Sequence, residues 1–194
     1  YSSTGIYIWT RGQITLLPIT ETPGALPGVS FTTGEIIVDR VVQSSTGTEF
    51  LYCANGTELS YTSDPLSGSP TWASAFTSTT TITSFTSDGQ YIYVSSSSTT
   101  SPERITIGTA TGSWPGSAED VNLISVAAGR LIGTKDNSFY ELDANGAKAT
   151  SSLDYSLPLS NSEWIDIEAC PNGIYAAVNT DHTGSIYYIG VSTT

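Results

Sequence analysis

The chain has 194 residues, 38% hydrophobic and 12% charged, with 18 acidic against 6 basic residues and a net charge of −12. That length suits a single domain, and no apolar run approaches the roughly 20 residues of a membrane-spanning helix, so membrane insertion is not expected. Lys and Arg are few, and only Arg130 and Lys135 stand close together, which argues against a nucleic-acid surface built on phosphate contacts.

Residues 1–34 hold two strand-like runs and a long loop. Gly5-Ile6-Tyr7-Ile8-Trp9 and Gln13-Ile14-Thr15-Leu16-Leu17 are separated by the turn residues Thr10-Arg11-Gly12. The stretch 21–34, with Pro23-Gly24 and Pro27-Gly28, breaks any regular element. Residues 35–194 then read as four units of similar build. The first runs through Ile36-Ile37-Val38, Phe50-Leu51-Tyr52-Cys53 and Glu58-Leu59-Ser60-Tyr61 to Trp72. The second has Ile82 to Phe85, the turn Ser87-Asp88-Gly89, Tyr91-Ile92-Tyr93-Val94, Ile105-Thr106-Ile107, and Trp114 after Gly112. The third has Leu123-Ile124-Ser125-Val126, Arg130-Leu131-Ile132 and Phe139-Tyr140-Glu141-Leu142, with a fourth strand predicted near 147–153. The fourth has Trp164-Ile165-Asp166-Ile167, a run at 173–178 and Ile186-Tyr187-Tyr188-Ile189.

The spacing of these units sets the fold expectation. Leu51, Ile92, Leu131 and Ile174, each in a second run, follow one another at 41, 39 and 43 residues, and Trp72 and Trp114 are 42 apart. Four short strands repeated about every 40 residues are the signature of propeller blades. The predicted fold is therefore all-β, a propeller or partial propeller of four to five four-stranded blades; a β-sandwich or fibre module is the alternative. No segment carries a helical apolar period. Residues 1–34 supply strands that complete a blade or belong to one extending outside the chain, and the whole forms one domain.

One stretch resembles a family motif. Tyr61 to Trp72 is similar to an expanded Asp-box, Ser-x-Asp-x-Gly-x-Thr-Trp, with Ser63, Asp64, Gly68, Thr71 and Trp72 as the matching residues. Asp64 directly follows Ser63, and extra residues precede Gly68. Thr109 to Trp114 is a second copy without the Asp. The resemblance, to sialidase-type and related propellers, implies blades with the box in the turn between third and fourth strands. It carries no activity. A sialidase centre would need three convergent arginines, and Arg11, Arg40, Arg104 and Arg130 fall at unrelated positions of the repeat.

Other candidate chemistry is sparse. Cys53 and Cys170, 117 residues apart, have no metal-type spacing; burial of Cys53 and a Cys53–Cys170 disulfide are the two readings. Asp166 and Glu168 share one strand face, and Glu119-Asp120 is the other acidic pair; solvated strand positions alternating with Ile165 and Ile167 are the plainer reading of the former. The single histidine, His182, lies in the loop 179–184 with Asn179 and Asp181, which lacks the acids of a calcium loop. Asn55-Gly56-Thr57 is an N-glycosylation sequon and also a hairpin-turn sequence. Trp9, Trp72, Trp114 and Trp164 are candidate platforms for stacking on sugars. No catalytic, cofactor or metal residues are assigned.

The chain has no Met and begins at Tyr1, which points to a processed form or a piece of something longer. Low charge with abundant Ser, Thr, Gly and Tyr fits an extracellular or virion-surface setting. The expected function is a non-catalytic structural, assembly or binding module of a virion, tail appendage or extracellular filament, partnered by itself, by other proteins or by glycans. A carbohydrate-binding lectin and a propeller glycoside hydrolase or lyase are the alternatives.

Overall fold

The structure, a computed structural model, describes residues 36–65, 67, 70–97, 102–110, 112, 114, 119–150, 154–157, 162–180 and 183–191, and the backbone of strands 5–10 and 13–18. Its elements are all strands: β1 (Gly5–Thr10), β2 (Gln13–Pro18), β3 (Ile36–Val42), β4 (Glu49–Asn55), β5 (Glu58–Thr62), β6 (Ala73–Thr77), β7 (Ile82–Ser87), β8 (Tyr91–Ser96), β9 (Glu103–Thr106), β10 (Leu123–Ala127), β11 (Arg130–Lys135), β12 (Ser138–Leu142), β13 (Asp154–Ser156), β14 (Glu163–Cys170), β15 (Gly173–Thr180) and β16 (Thr183–Gly190). They form antiparallel meanders in chain order. The first sheet is β3-β4-β5-β6, the second β7-β8-β9, the third β10-β11-β12-β13 and the fourth β14-β15-β16; β1 and β2 pair with each other. The fold is all-β, and the period read from Leu51, Ile92, Leu131 and Ile174 marks the second strand of each sheet.

Turn chemistry explains the meanders. Gly56, at φ +62°, is the first central residue between Asn55 and its partner Glu58, in the left-handed region that glycine adopts without strain. The turn is therefore Gly56-Thr57, and Asn55 is the last residue of β4 instead of a turn residue. After Ser87, the Asp88 carboxylate accepts the backbone N–H groups of Gln90 (2.8 Å) and Tyr91 (2.7 Å), and Ser87 Oγ accepts that of Gly89 (2.9 Å), which together hold the bend.

Each sheet is apolar on the faces that meet its neighbours. Tyr52, Leu59, Ala54 and Val41 of the first sheet pack on Phe85, Ile92, Val94 and Ile105 of the second. The opposite face of the second sheet brings Tyr93 and Trp114 against Ile124, Tyr140 and Leu142 of the third. The third sheet's other face, with Leu123, Ile132 and Phe139, packs on Trp164, Ile167, Ile174 and Val178 of the fourth. Removing each such large side chain from water is worth about 1.5–3 kcal/mol, so the three interfaces dominate stability.

Two local expectations are corrected. The fourth strand of the third unit is Asp154–Ser156, not 147–153. The turn after Leu142 closes through Asp143 N–H to Ala147 O (2.8 Å), leaves only a bridge from Leu142 to Lys148, and the chain rejoins the ladder at Asp154. In β14 a bulge between Trp164 and Asp166 breaks the alternation: Ile165 is exposed while Ile167 is buried.

Candidate functional site

The four first strands, β3, β7, β10 and β14, line one cavity of about 780 Å³. Each of these strands is an edge of its sheet. Such an edge carries unpaired backbone groups, and at β7 and β10 side-chain hydroxyls answer them. Ser84 Oγ accepts the Ile124 N–H (2.8 Å) and donates to the Ile124 carbonyl (3.3 Å), and Thr86 Oγ1 accepts the Val126 N–H (3.2 Å). Ser95 Oγ (3.1 Å) and Thr83 Oγ1 both donate to the Asn122 carbonyl. Serine and threonine at these places link two sheets whose backbones do not pair directly.

Four carboxylates line the cavity: Asp39 from β3, and Glu163, Asp166 and Glu168 from β14; its described lining has no Lys, Arg or His. Partial burial pushes the Asp39 carboxyl above its ordinary range, against the pull of the Arg40 backbone N–H that it accepts at 2.7 Å. Partial burial likewise raises Glu168, and the negative charges of Asp166 and Asp39 raise it further. The strand repeat thus gathers acids from the first and last sheets into one field. Such a field repels anions and suits a cation or a neutral polar ligand. Among the described residues, no group of three or more His, Cys, Asp or Glu is arranged to hold a metal ion. Sequence reasoning found Asp166 and Glu168 but missed Asp39 and Glu163. The available signal was the repeat itself, since Asp39 and Asp166 both stand fourth in a first strand.

The remaining candidates are dispersed. Trp114, 8% exposed, packs on Tyr93 (5.2 Å between ring centroids) and donates Nε1–H to the Ala144 carbonyl (3.2 Å). Trp164, 5% exposed, packs on Phe139 at 5.6 Å. Both rings join sheets and leave no free face for a sugar. Trp72 is half-buried between β5 and β6, and its buried Nε1 has no hydrogen-bond partner. Trp9 lies on β1, and its side chain, like His182, Asp181 and Arg11, is outside the described residues.

In the structure no bond joins Cys53 to Cys170. They belong to different sheets, Cys53 in β4 and Cys170 at the end of β14, and Cys53 is 1% exposed, which pushes its thiol pKa up. Asn55 is half-buried at the end of β4. Glu119 and Asp120 stand outside the cavity lining; the Asp120 carbonyl accepts the Tyr140 hydroxyl at 2.9 Å. The described arginines do not converge: Arg40 pairs with Glu49, Arg104 lies 4.6 Å over the Tyr91 ring, and Arg130 pairs with Glu141 at 3.0 Å. Compared with family models and with curated proteins, the chain matches none.

Proposed function

We propose that the four sheets are blades of a propeller and that the chain is a non-catalytic structural, assembly or binding module, displayed on a virion, tail appendage or extracellular filament. The use of the aromatic residues carries this reading. Trp114 and Trp164, with Tyr93 and Phe139, join sheet to sheet, so the aromatic side chains build a scaffold. The approach of four first strands to one cavity supports the propeller, as does the position of residues 63–72 between β5 and β6, where an Asp-box sits. Assembly would run through the outer edge of β16, which is last in its sheet and has eight residues of backbone to offer a neighbouring strand. Direct imaging of the native particle, with sedimentation of the isolated chain, tests this. Arrays or polymers with β16 at the contact are expected; discrete monomers that turn over a polysaccharide would overturn it.

A hydrolytic reading has one observation in its favour, the meeting of Asp39, Asp166 and Glu168 in the cavity. The raised Glu168 would act as general acid and Asp166 as base or nucleophile. Loss of polysaccharide turnover in both Glu168→Gln and Asp166→Asn, from a measurable wild-type rate, is its test. Glycan binding that disappears in Trp72→Ala would move the assignment to a lectin.

A further inference from the structure

The sheets stack in chain order, each covering the next, which leaves the back of the first sheet and the back of the last outside the three interfaces. On the first sheet's back Cys53 and Thr62 are buried, and the exposed margin is β3. The exposed apolar side chains gather there. Ile36, Val38 and Val42 alternate along the back of β3. Tyr175, Ile186 and Tyr188 cover the back of β15 and β16, with Tyr175 and Tyr188 in register and their rings 5.3 Å apart. Among the described residues, the only other exposed large apolar side chains are Tyr155 and Ile165. Ile186 is 79% exposed. A solvated monomer does not ordinarily leave such faces open. The two backs also flank one opening: β3 and β14 line the same cavity, and Glu168 feels the charge of Asp39.

The chain contains a segment of matching character. In the β1–β2 hairpin the register places Tyr7, Trp9, Ile14 and Leu16 at positions of one face, and Ile6, Ile8, Thr15 and Leu17 at positions of the other. A hairpin that is apolar on both faces is not stable alone in water; it needs a sheet on each side. In chain order the hairpin precedes the first sheet. Seventeen residues separate Pro18 from Ile36, enough to span about 56 Å when extended, and so short a tether holds the hairpin at roughly millimolar effective concentration.

We propose that the β1–β2 hairpin seats between the backs of the first and last sheets and closes the stack from within the same chain. This rests on the propeller reading. The test is hydrogen exchange by mass spectrometry on the dilute full-length chain. Amides of 5–10 and 13–18 should exchange on the order of a hundredfold more slowly than in an unstructured peptide, because an undocked hairpin gives little protection. Ile186→Asp, and separately Ile8→Lys, should abolish most of that protection while the amides of β8 and β11 keep theirs, which shows that each variant is folded. Unprotected hairpin amides in the wild type would overturn the proposal. So would protection that appears only as concentration rises, since the occupant would then be a second copy, or protection indifferent to both substitutions. Spin labels at Asp39→Cys and Glu168→Cys, in a Cys53→Ser, Cys170→Ser background, separate the docking of the hairpin from the arrangement of the sheets. Dipolar broadening with an unprotected hairpin rejects the hairpin alone, whereas no broadening rejects the radial arrangement and the proposal with it.

Discussion

Gly108 shows how a single residue holds two sheets together. Its N–H donates to Tyr52 Oη (2.8 Å) and its carbonyl accepts from the Tyr61 hydroxyl (2.8 Å), so the turn after β9 is fastened to the first sheet. Its φ is +74°, and a Cβ would come 2.9 Å from Phe50 Cζ. Gly108→Ala is expected to destabilise by about 1–3 kcal/mol, through left-handed strain and displacement of Phe50, read as a lower urea midpoint at unchanged slope. The bonded Tyr52 phenol is pushed up to about 12 by burial, so it stays neutral through the physiological range. Glu168 behaves differently. Its folded pKa is raised by burial and by Asp166 and Asp39. The folded state therefore holds the proton more tightly than the unfolded chain does. The resulting stability is fully present below the unfolded carboxyl pKa and is lost as pH rises through the folded one. Glu168→Gln should raise the midpoint of thermal unfolding at pH 7, with the difference vanishing near about pH 4. An equal difference at both pH values would show that packing, not charge, is responsible.

At the scale of elements, the hydroxyls of β7 replace a missing backbone ladder. Ser84 satisfies both the N–H and the carbonyl of Ile124, a buried residue. Ser84→Ala is expected to cost about 1–3 kcal/mol, since a buried N–H then loses its partner, and to speed exchange at the Ile124 amide. Between β11 and β12, the Arg130–Glu141 pair lies on the third sheet's face toward the fourth, with side chains 12% and 17% exposed. Glu141→Leu leaves a buried guanidinium and should cost about 3 kcal/mol, while the double variant Arg130→Met, Glu141→Leu should recover most of that loss in equilibrium unfolding. No recovery would show that the pair contributes more than charge compensation.

For the whole molecule, a net charge of −12 opposes association between copies. If β16 accepts a neighbour's strand, raising salt from about 0.05 M to about 0.5 M screens this repulsion and should increase the associated fraction in sedimentation. An assembly held by surface ion pairs would weaken over the same range. The cavity belongs to this scale too, because its acids come from opposite ends of the chain.

How much was legible in the sequence follows from the range of the forces involved. Strand positions around Leu51, Ile92, Leu131 and Ile174 were readable because alternation and turn residues act locally, and repetition at about 40 residues confirmed them. The all-β class followed from the same signals. The fourth strand of the third sheet was misplaced because competition between the Asp143 turn and the ladder is settled by hydrogen bonds to Ala147 and Glu141, not by propensity. The bulge at Ile165 was invisible for a similar reason: one extra residue in a strand changes no local preference. Tertiary structure alone decided that Trp114 and Trp164 are packing residues, that Cys53 and Cys170 stand in different sheets, and that Asp39 shares a cavity with Glu168. Each of these depends on contacts between residues far apart in sequence, formed when sheets bury their apolar faces on one another.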